Sequence, residues 1–304
     1  MVKLLISDPI AEEGIEKLEQ AGFELDHKYD LSAEELTDEI GQYEGIVVRS
    51  ATKLRAPILE AADNLKIIVR AGVGLDNIDL NRADELGIEV HNTPAASSNS
   101  VAELALGHMF SLAREIPRGT ASLKDQKWIK SDLYGTELSG KTLGIIGIGR
   151  IGSLVAKKGK ALGMEPIAFD KFVDESPVDV VEMVGLNKLL GSSDYITLHI
   201  PFVESEGATI AEPEFKKMKN SVYLINCARG GVVDEGALKK ALANDWIAGA
   251  ALDVFTEEPP EDEELLSFEN LSLTPHVGAS TEEAQTRVGT QAADELIDFF
   301  DKEE

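Results

Sequence analysis

Short apolar runs alternate along the chain with segments whose apolar residues recur every three or four positions. "KLLIS", "GFELDHKY", "GIVVRS", "KIIVRAG" and "IEVHNTP" read as strands, and "EEGIEKLEQAG", "SAEELTDEIG", "PILEAAD" and "IDLNRADELG" between them read as helices. Strand and amphipathic helix in regular succession predict parallel βαβ units, with helices covering both faces of a sheet. Ser32 and Glu35 have capping-box spacing, and Gly22, Gly41 and Gly87 stand where helix ends belong.

Near Ala95 the texture changes. "SSNSVAELALGHMFSLAREI" is a longer helical pattern, and "PRGTASLKDQKWIKSDLYGTELSG" is a polar connection with no strong strand. The alternation restarts at "KTLGIIGIG", runs through "EPIAFD", "DYITLHI", "SVYLINCA", "IAGAALDV" and "NLSLTP", and ends in the helical "STEEAQTRVGTQAADELIDFF". Two α/β domains are therefore expected, which suits a chain of 304 residues at roughly 150 residues per domain. No repeat of fixed period and no low-complexity linker interrupts them.

Charge narrows the partners. Fifty-five acidic against 29 basic residues give a formal charge of −26, which repels phosphate backbones and anionic lipid surfaces. Neither nucleic acid nor membrane is an expected partner, and the excess suits a solvated acidic surface adapted to high salt, the preferred reading, or simply a soluble cytosolic surface. The single cysteine, Cys227, forms no intramolecular disulfide, which fits a reducing, cytoplasmic setting. "MVKLLISDPI" is too short an apolar run for a signal peptide, and no stretch reaches the ~18 apolar residues of a membrane span.

The chemistry starts in "GIIGIGRIG". Gly147, Gly149 and Gly152 follow an apolar strand and open a helix in GxGxxG register. The spacing allows a tight turn, close approach of backbone to a pyrophosphate, and close helix-on-sheet packing, with the helix N-terminus facing the anion. The next strand, "PIAFD", ends in Asp170, placed to accept hydrogen bonds from ribose hydroxyls and to repel a 2′-phosphate. NAD is the expected cofactor, in preference to NADP, and no metal is called for. A glycine turn with an unrelated acid is the plainer alternative.

Reacting groups should follow the later strands. Arg229, after "LINCA", is followed by Gly230 and Gly231; a guanidinium there offers two parallel donors to a carboxylate or carbonyl oxygen. The acids of "DVFTEEPP" could orient a histidine, and a histidine is the natural base for a hydroxyl that loses its proton as its hydride leaves. His276 in "LTPHVG" and His199 in "LHIP" both end strands and compete for that role; His27 and His108 read as surface or helix-packing residues, and His91 closes a strand. Each piece also has an ordinary reading, as a salt-bridge arginine or a solvated acidic loop.

"GIGRIG", "NCARGGVVDE", "AALDVFTEEPP" and "TPHVGAST", with "VVRSATKL", "VRAGVGLDNID" and "HNTPAASSNSVAELALG" before them, resemble the NAD-dependent D-2-hydroxyacid dehydrogenases over nearly the whole chain. The resemblance is nearest to the branch acting on 3-phosphoglycerate. It implies two Rossmann-like, doubly wound parallel-sheet domains, the cofactor domain (98–281) inserted into a flavodoxin-like substrate domain (1–97 with 282–304). It further implies that Arg229 binds the substrate carboxylate and carbonyl, that His276 is the acid/base, and that Glu258, rather than Glu257, pairs with it.

Further cofactor contacts implied are Arg150, Ile151, Ile200, Cys227, Ala228 and Asp253, which makes Cys227 a packing residue and not a nucleophile. Backbone around Val73 and Gly74 would hold the carboxylate, and Arg49, Ser50 and Arg70 would hold a substrate phosphate, though both arginines could equally be structural ion-pair partners. The partner implied is a small anionic substrate, a phosphorylated 2-hydroxy acid. A homodimer built on the Ser98 helix and "KWIKSDLYG" is implied, with Lys130 reaching the partner's site where the family commonly has arginine, and with tetramers left open.

The activity implied is oxidation of 3-phosphoglycerate to 3-phosphohydroxypyruvate, the entry step to serine synthesis. Glyoxylate or hydroxypyruvate reduction, and a non-enzymatic NAD-sensing scaffold, are the alternatives. The chain stops after the closing helix, so feedback through a C-terminal regulatory module is not expected. "FVESEGATIAEPEF" departs from the family pattern around Gly207.

Overall fold

The computed structural model describes residues 1–303 and divides into two compact units, Met1–Ser97 with the chain from Ala279 onward, and Ser98–Gly278. In the first unit, strands β1 (Lys3–Ile6), β2 (Glu24–His27), β3 (Gly45–Val48), β4 (Ile67–Arg70) and β5 (Glu89–Asn92) form one parallel sheet in the order β2-β1-β3-β4-β5. This is the flavodoxin-like order, whose switch point lies between β1 and β3.

Alternation along each strand feeds two cores. Leu5, Ile46, Val48 and Ile68 face one side of the sheet; Leu4, Ile6, Val47, Ile67 and Val69 face the other, where Val288, Ala292, Leu296 and Phe300 of the closing helix Glu282–Glu303 complete the packing. That helix crosses Glu12–Gln20 through two glycines: a β-carbon on Gly14 would lie 2.5 Å from the Gly289 carbonyl oxygen. The capping box at Ser32 is formed in full. Gly22 and Gly87 adopt positive φ after their helices, at 88° and 73°. Gly41 does not; it lies inside a 3₁₀ turn, Ile40–Gln42, and is required because a β-carbon would meet the Ala61 carbonyl.

The second unit holds β6 (Thr142–Ile146), β7 (Glu165–Phe169), β8 (Glu182–Met183), β9 (Tyr195–Leu198), β10 (Tyr223–Asn226), β11 (Gly249–Leu252) and β12 (Leu271–Leu273). They form a parallel sheet ordered β12-β11-β10-β9-β6-β7-β8, the Rossmann order with a seventh strand. Its switch point falls between β6 and β9. Leu143, Ile145, Tyr195 and Ile225 pack beneath the helix Ser98–Ala113; Ile146, Ile196, Leu198 and Leu224 pack on the opposite face.

Two segments differ from the sequence expectation. The polar connection after Ile116 forms a helix, Ile116–Lys124, because Pro117 fits its first turn and polar residues do not forbid a solvated helix. Strand β8 has only two residues, too few for period-2 alternation to register.

Candidate active site

The loop after β6 is shaped by its glycines. Gly147 has φ 93°, donates its N–H to the Phe169 carbonyl, and would drive a β-carbon to 2.5 Å from the His199 carbonyl oxygen on the neighbouring strand end. Gly152, in the first turn of the helix Arg150–Ala161, lies where a β-carbon would meet the Gly147 carbonyl at 2.0 Å. A β-carbon built on Gly149 would meet nothing within 4 Å, so the helix N-terminus opens onto free space there. An anionic pyrophosphate fits there, against unsatisfied N–H groups and the positive end of the helix dipole.

Asp170 follows β7 directly. It accepts from the Ile148 N–H at 3.0 Å and the Phe172 N–H at 2.9 Å, which ties the carboxylate to the glycine loop and leaves lone pairs for further donors. Arg150 is exposed, Ile151 and Ile200 are half-buried, and both isoleucines pack against the cores beside this loop.

Adjacent strands β10, β11 and β12 carry the other candidates at their carboxyl ends. After β10 the buried Asn226 side chain accepts from Ala228 N–H and donates to the Arg229 carbonyl, both at 3.0 Å, closing a tight turn. Gly230 packs so closely on the loop after β11 that a β-carbon would sit 1.8 Å from the Phe255 carbonyl oxygen, and Gly231 has φ 79° beneath the Phe202 ring. Gly230 thus lets the Arg229 turn pack against Phe255 and Thr256, while Gly231 fits the turn under Phe202. Cys227, buried at the strand end, has its thiol pKa pushed far up by desolvation, which removes it as a nucleophile.

Glu258 accepts from the Phe255 N–H through Oε1 at 3.1 Å and pairs through Oε2 with His276 Nδ1 at 2.7 Å. The histidine side chain is half-exposed, so Nε2 remains available to a reacting group. His276 has φ 53°, an uncommon left-handed conformation for a residue with a β-carbon. It is held there by its N–H, which donates to the Asp253 carbonyl at 2.8 Å.

The Asp253 carboxylate, 1% exposed, accepts from Thr274 Oγ1 and Val277 N–H through Oδ1 and from Gly278 N–H through Oδ2, at 2.7, 2.8 and 2.9 Å. Resemblance implied a cofactor contact for Asp253; the structure commits its carboxylate to the loop that presents His276. The rival, His199, points elsewhere: Nε2 meets Thr197 Oγ1 at 2.9 Å, and desolvation pushes its pKa down to about 3. A ring so hard to protonate is a poor proton acceptor at neutral pH.

In the first unit, Arg49 and Ser50 follow β3 and Arg70 ends β4, with Val48 and Arg70 in register. Buried Asp8, just after β1, accepts from the Arg49 and Thr52 N–H groups, and the Asn77 side chain donates to the Arg49 and Thr52 carbonyls at 2.7 Å. Sequence reading missed both braces; the only signal was an acid directly after an apolar strand. Val73 and Gly74 are half-buried on the following loop, where the Asn92 side chain donates to the Val73 carbonyl. Lys130 is exposed on a 3₁₀ turn in the second unit.

Residues 106–278 match the family model described as D-isomer specific 2-hydroxyacid dehydrogenase, NAD binding domain. The chain is 46% identical over 98% of its length to D-3-phosphoglycerate dehydrogenase of Archaeoglobus fulgidus, of which it spans 57%. It is 48% identical to hydroxypyruvate reductase of Thermotoga maritima, over 96% of each chain. Among solved structures it resembles D-lactate dehydrogenase from Aquifex aeolicus complexed with NAD and lactic acid, with TM-score 0.84 and 31% identity over 99% of this chain and 96% of that one. The chain thus spans little more than half the length of several curated relatives. Among its described residues no helix is long and apolar enough to cross a membrane. Two parallel α/β sheets, the glycine loop with Asp170, and these likenesses together show that the chain belongs to the D-isomer specific 2-hydroxyacid dehydrogenases, with an NAD-binding domain over residues 106–278.

Proposed function

We propose that the chain interconverts a D-2-hydroxy acid and its 2-keto acid, and that it oxidises 3-phosphoglycerate to 3-phosphohydroxypyruvate at the start of serine synthesis. The observation that carries the reading is the 2.7 Å pair between His276 Nδ1 and Glu258, on a loop beside the Arg229 turn. Gly147, Gly149, Arg150, Ile151, Gly152, Asp170, Ile200, Cys227 and Ala228 would surround NAD, which when bound accepts the hydride from the hydroxyl carbon.

Arg229 binds the substrate carboxylate and draws charge from the carbonyl oxygen as it forms. His276 takes the hydroxyl proton at Nε2, and Glu258 holds the ring in the right orientation. Keto-acid reduction runs the same proton back. Val73 and Gly74 are assigned to the carboxylate; Arg49, Ser50 and Arg70 are assigned to the phosphate, with Lys130 from a partner copy. Exposed Trp128 and Tyr134 flank Lys130 and support a homodimer. A single cysteine supports a cytoplasmic setting.

Hydroxypyruvate reduction is the second reading, favoured by the Thermotoga maritima relative that matches this chain along nearly its full length. The test is NADH oxidation with phosphohydroxypyruvate beside hydroxypyruvate and glyoxylate. Preference for the phosphorylated acid supports the first reading and the arginine phosphate site. Preference for an unphosphorylated acid keeps His276, Glu258 and Arg229 and discards that site. NADH binding without turnover of any of the three would leave a sensing role.

A further inference from the structure

His108 lies on the helix Ser98–Ala113, in a row of inward residues otherwise made of Val101, Ala105, Met109 and Leu112. An imidazole is costly there unless both ring nitrogens find partners. Both do: Nδ1 is 2.9 Å from Ser272 Oγ and Nε2 is 3.0 Å from Thr274 Oγ1, with the residue 3% exposed. Burial holds the ring below its ordinary pKa, against the opposing field of Asp253, so it is neutral and has one donor and one acceptor. The Thr274 hydroxyl gives its proton to Asp253, so it accepts from His108 Nε2–H, while Ser272 Oγ, beside Nδ1, also donates to Ser111 Oγ at 3.1 Å.

We propose that His108 is a positioning residue for the reaction, holding residues 274–278, and with them His276, through Thr274 and Asp253. The inference rests on the assignment of His276 as acid/base. The loop needs outside support because His276 sits at φ 53°. The same helix supplies it at both ends, since Ser100 Oγ donates to the Gly278 carbonyl at 2.6 Å while His108 secures Thr274. His276 lies between the two anchors.

The test measures kcat, KM, NADH binding and Tm for H108L, H108Q, T274V and the double variant H108L/T274V. The substrate is whichever of the three keto acids above the unaltered chain reduces fastest. H108L is expected to lower kcat about tenfold, as the loss of two neutral hydrogen bonds predicts, with KM and NADH affinity nearly unchanged. H108Q, whose amide keeps one donor and one acceptor, is expected to restore most of kcat. In the T274V background H108L should add nothing. If H108L does not fold, H108N, too short to bridge both hydroxyls, takes its place with the same expectation. Unchanged kcat with lowered Tm, or independent multiplication of the H108L and T274V effects, overturns the inference. H276A run alongside separates the two levels. Turnover retained in H276A overturns the acid/base assignment beneath the inference, whereas turnover lost in H276A and kept in H108L overturns the inference alone.

Discussion

Replacing Asp253 by asparagine changes one atom in a place where every lone pair in use is known. Oδ1 serves Thr274 and Val277 and Oδ2 serves Gly278, all within 2.9 Å and out of water. An amide nitrogen in place of Oδ2 faces the Gly278 N–H donor to donor, so that bond is lost and a buried N–H is left unpaired. A hydrogen bond to a charged group contributes about 1.5–3 kcal/mol and an unpaired buried donor costs about 1–3 kcal/mol. Relief from burying a charge offsets part of this. The net loss is about 2–4 kcal/mol, or a Tm lower by roughly 5–12 °C in a unit of this size. Calorimetry of D253N reads the shift directly, and kcat should fall with it because the loop presents His276. A change in stability under about 0.5 kcal/mol together with full turnover would refute the reasoning, since surface substitutions do no more than that.

Three further outcomes are expected. His199 has its pKa lowered from 6.5 to about 3 by desolvation, so between these values the unfolded chain binds the extra proton. The stability this group contributes is complete above the upper value and is lost as pH falls through the window; urea midpoints of H199N should therefore fall less steeply with acid, and an identical slope rejects the burial argument. G231A forces a β-carbon to 2.9 Å from the Phe202 ring at φ 79°, and should cost about 1–3 kcal/mol and most of kcat by moving Arg229; unaltered kinetics would show that the turn tolerates rearrangement. With a formal charge of −26, self-repulsion should be screened by salt, so Tm should climb from dilute buffer to molar KCl, and a flat response would dismiss the high-salt reading of the surface.

What the sequence determined by itself is what depends on neighbours along the chain. Alternation of apolar residues laid out strands β1 to β7 and β9 to β12, and the Gly147, Gly149 and Gly152 spacing announced an anion loop, because a tight turn and a close helix-strand approach make demands within a few residues. Ser32 and Glu35 formed their capping box for the same reason. Strand β8 escaped because its pairing with β7, not its own pattern, defines it.

The choice between His199 and His276 was open in the pattern, since both end apolar strands. The tertiary structure favours His276, since it sets Glu258 against that ring, while His199 is partly buried and desolvation holds its pKa down. It likewise gave Asp253 the His276 loop and set His108 against two hydroxyls more than 150 residues away. Burial and hydrogen-bond partnership are properties of the folded neighbourhood, and a one-dimensional pattern carries no record of which distant groups will share it.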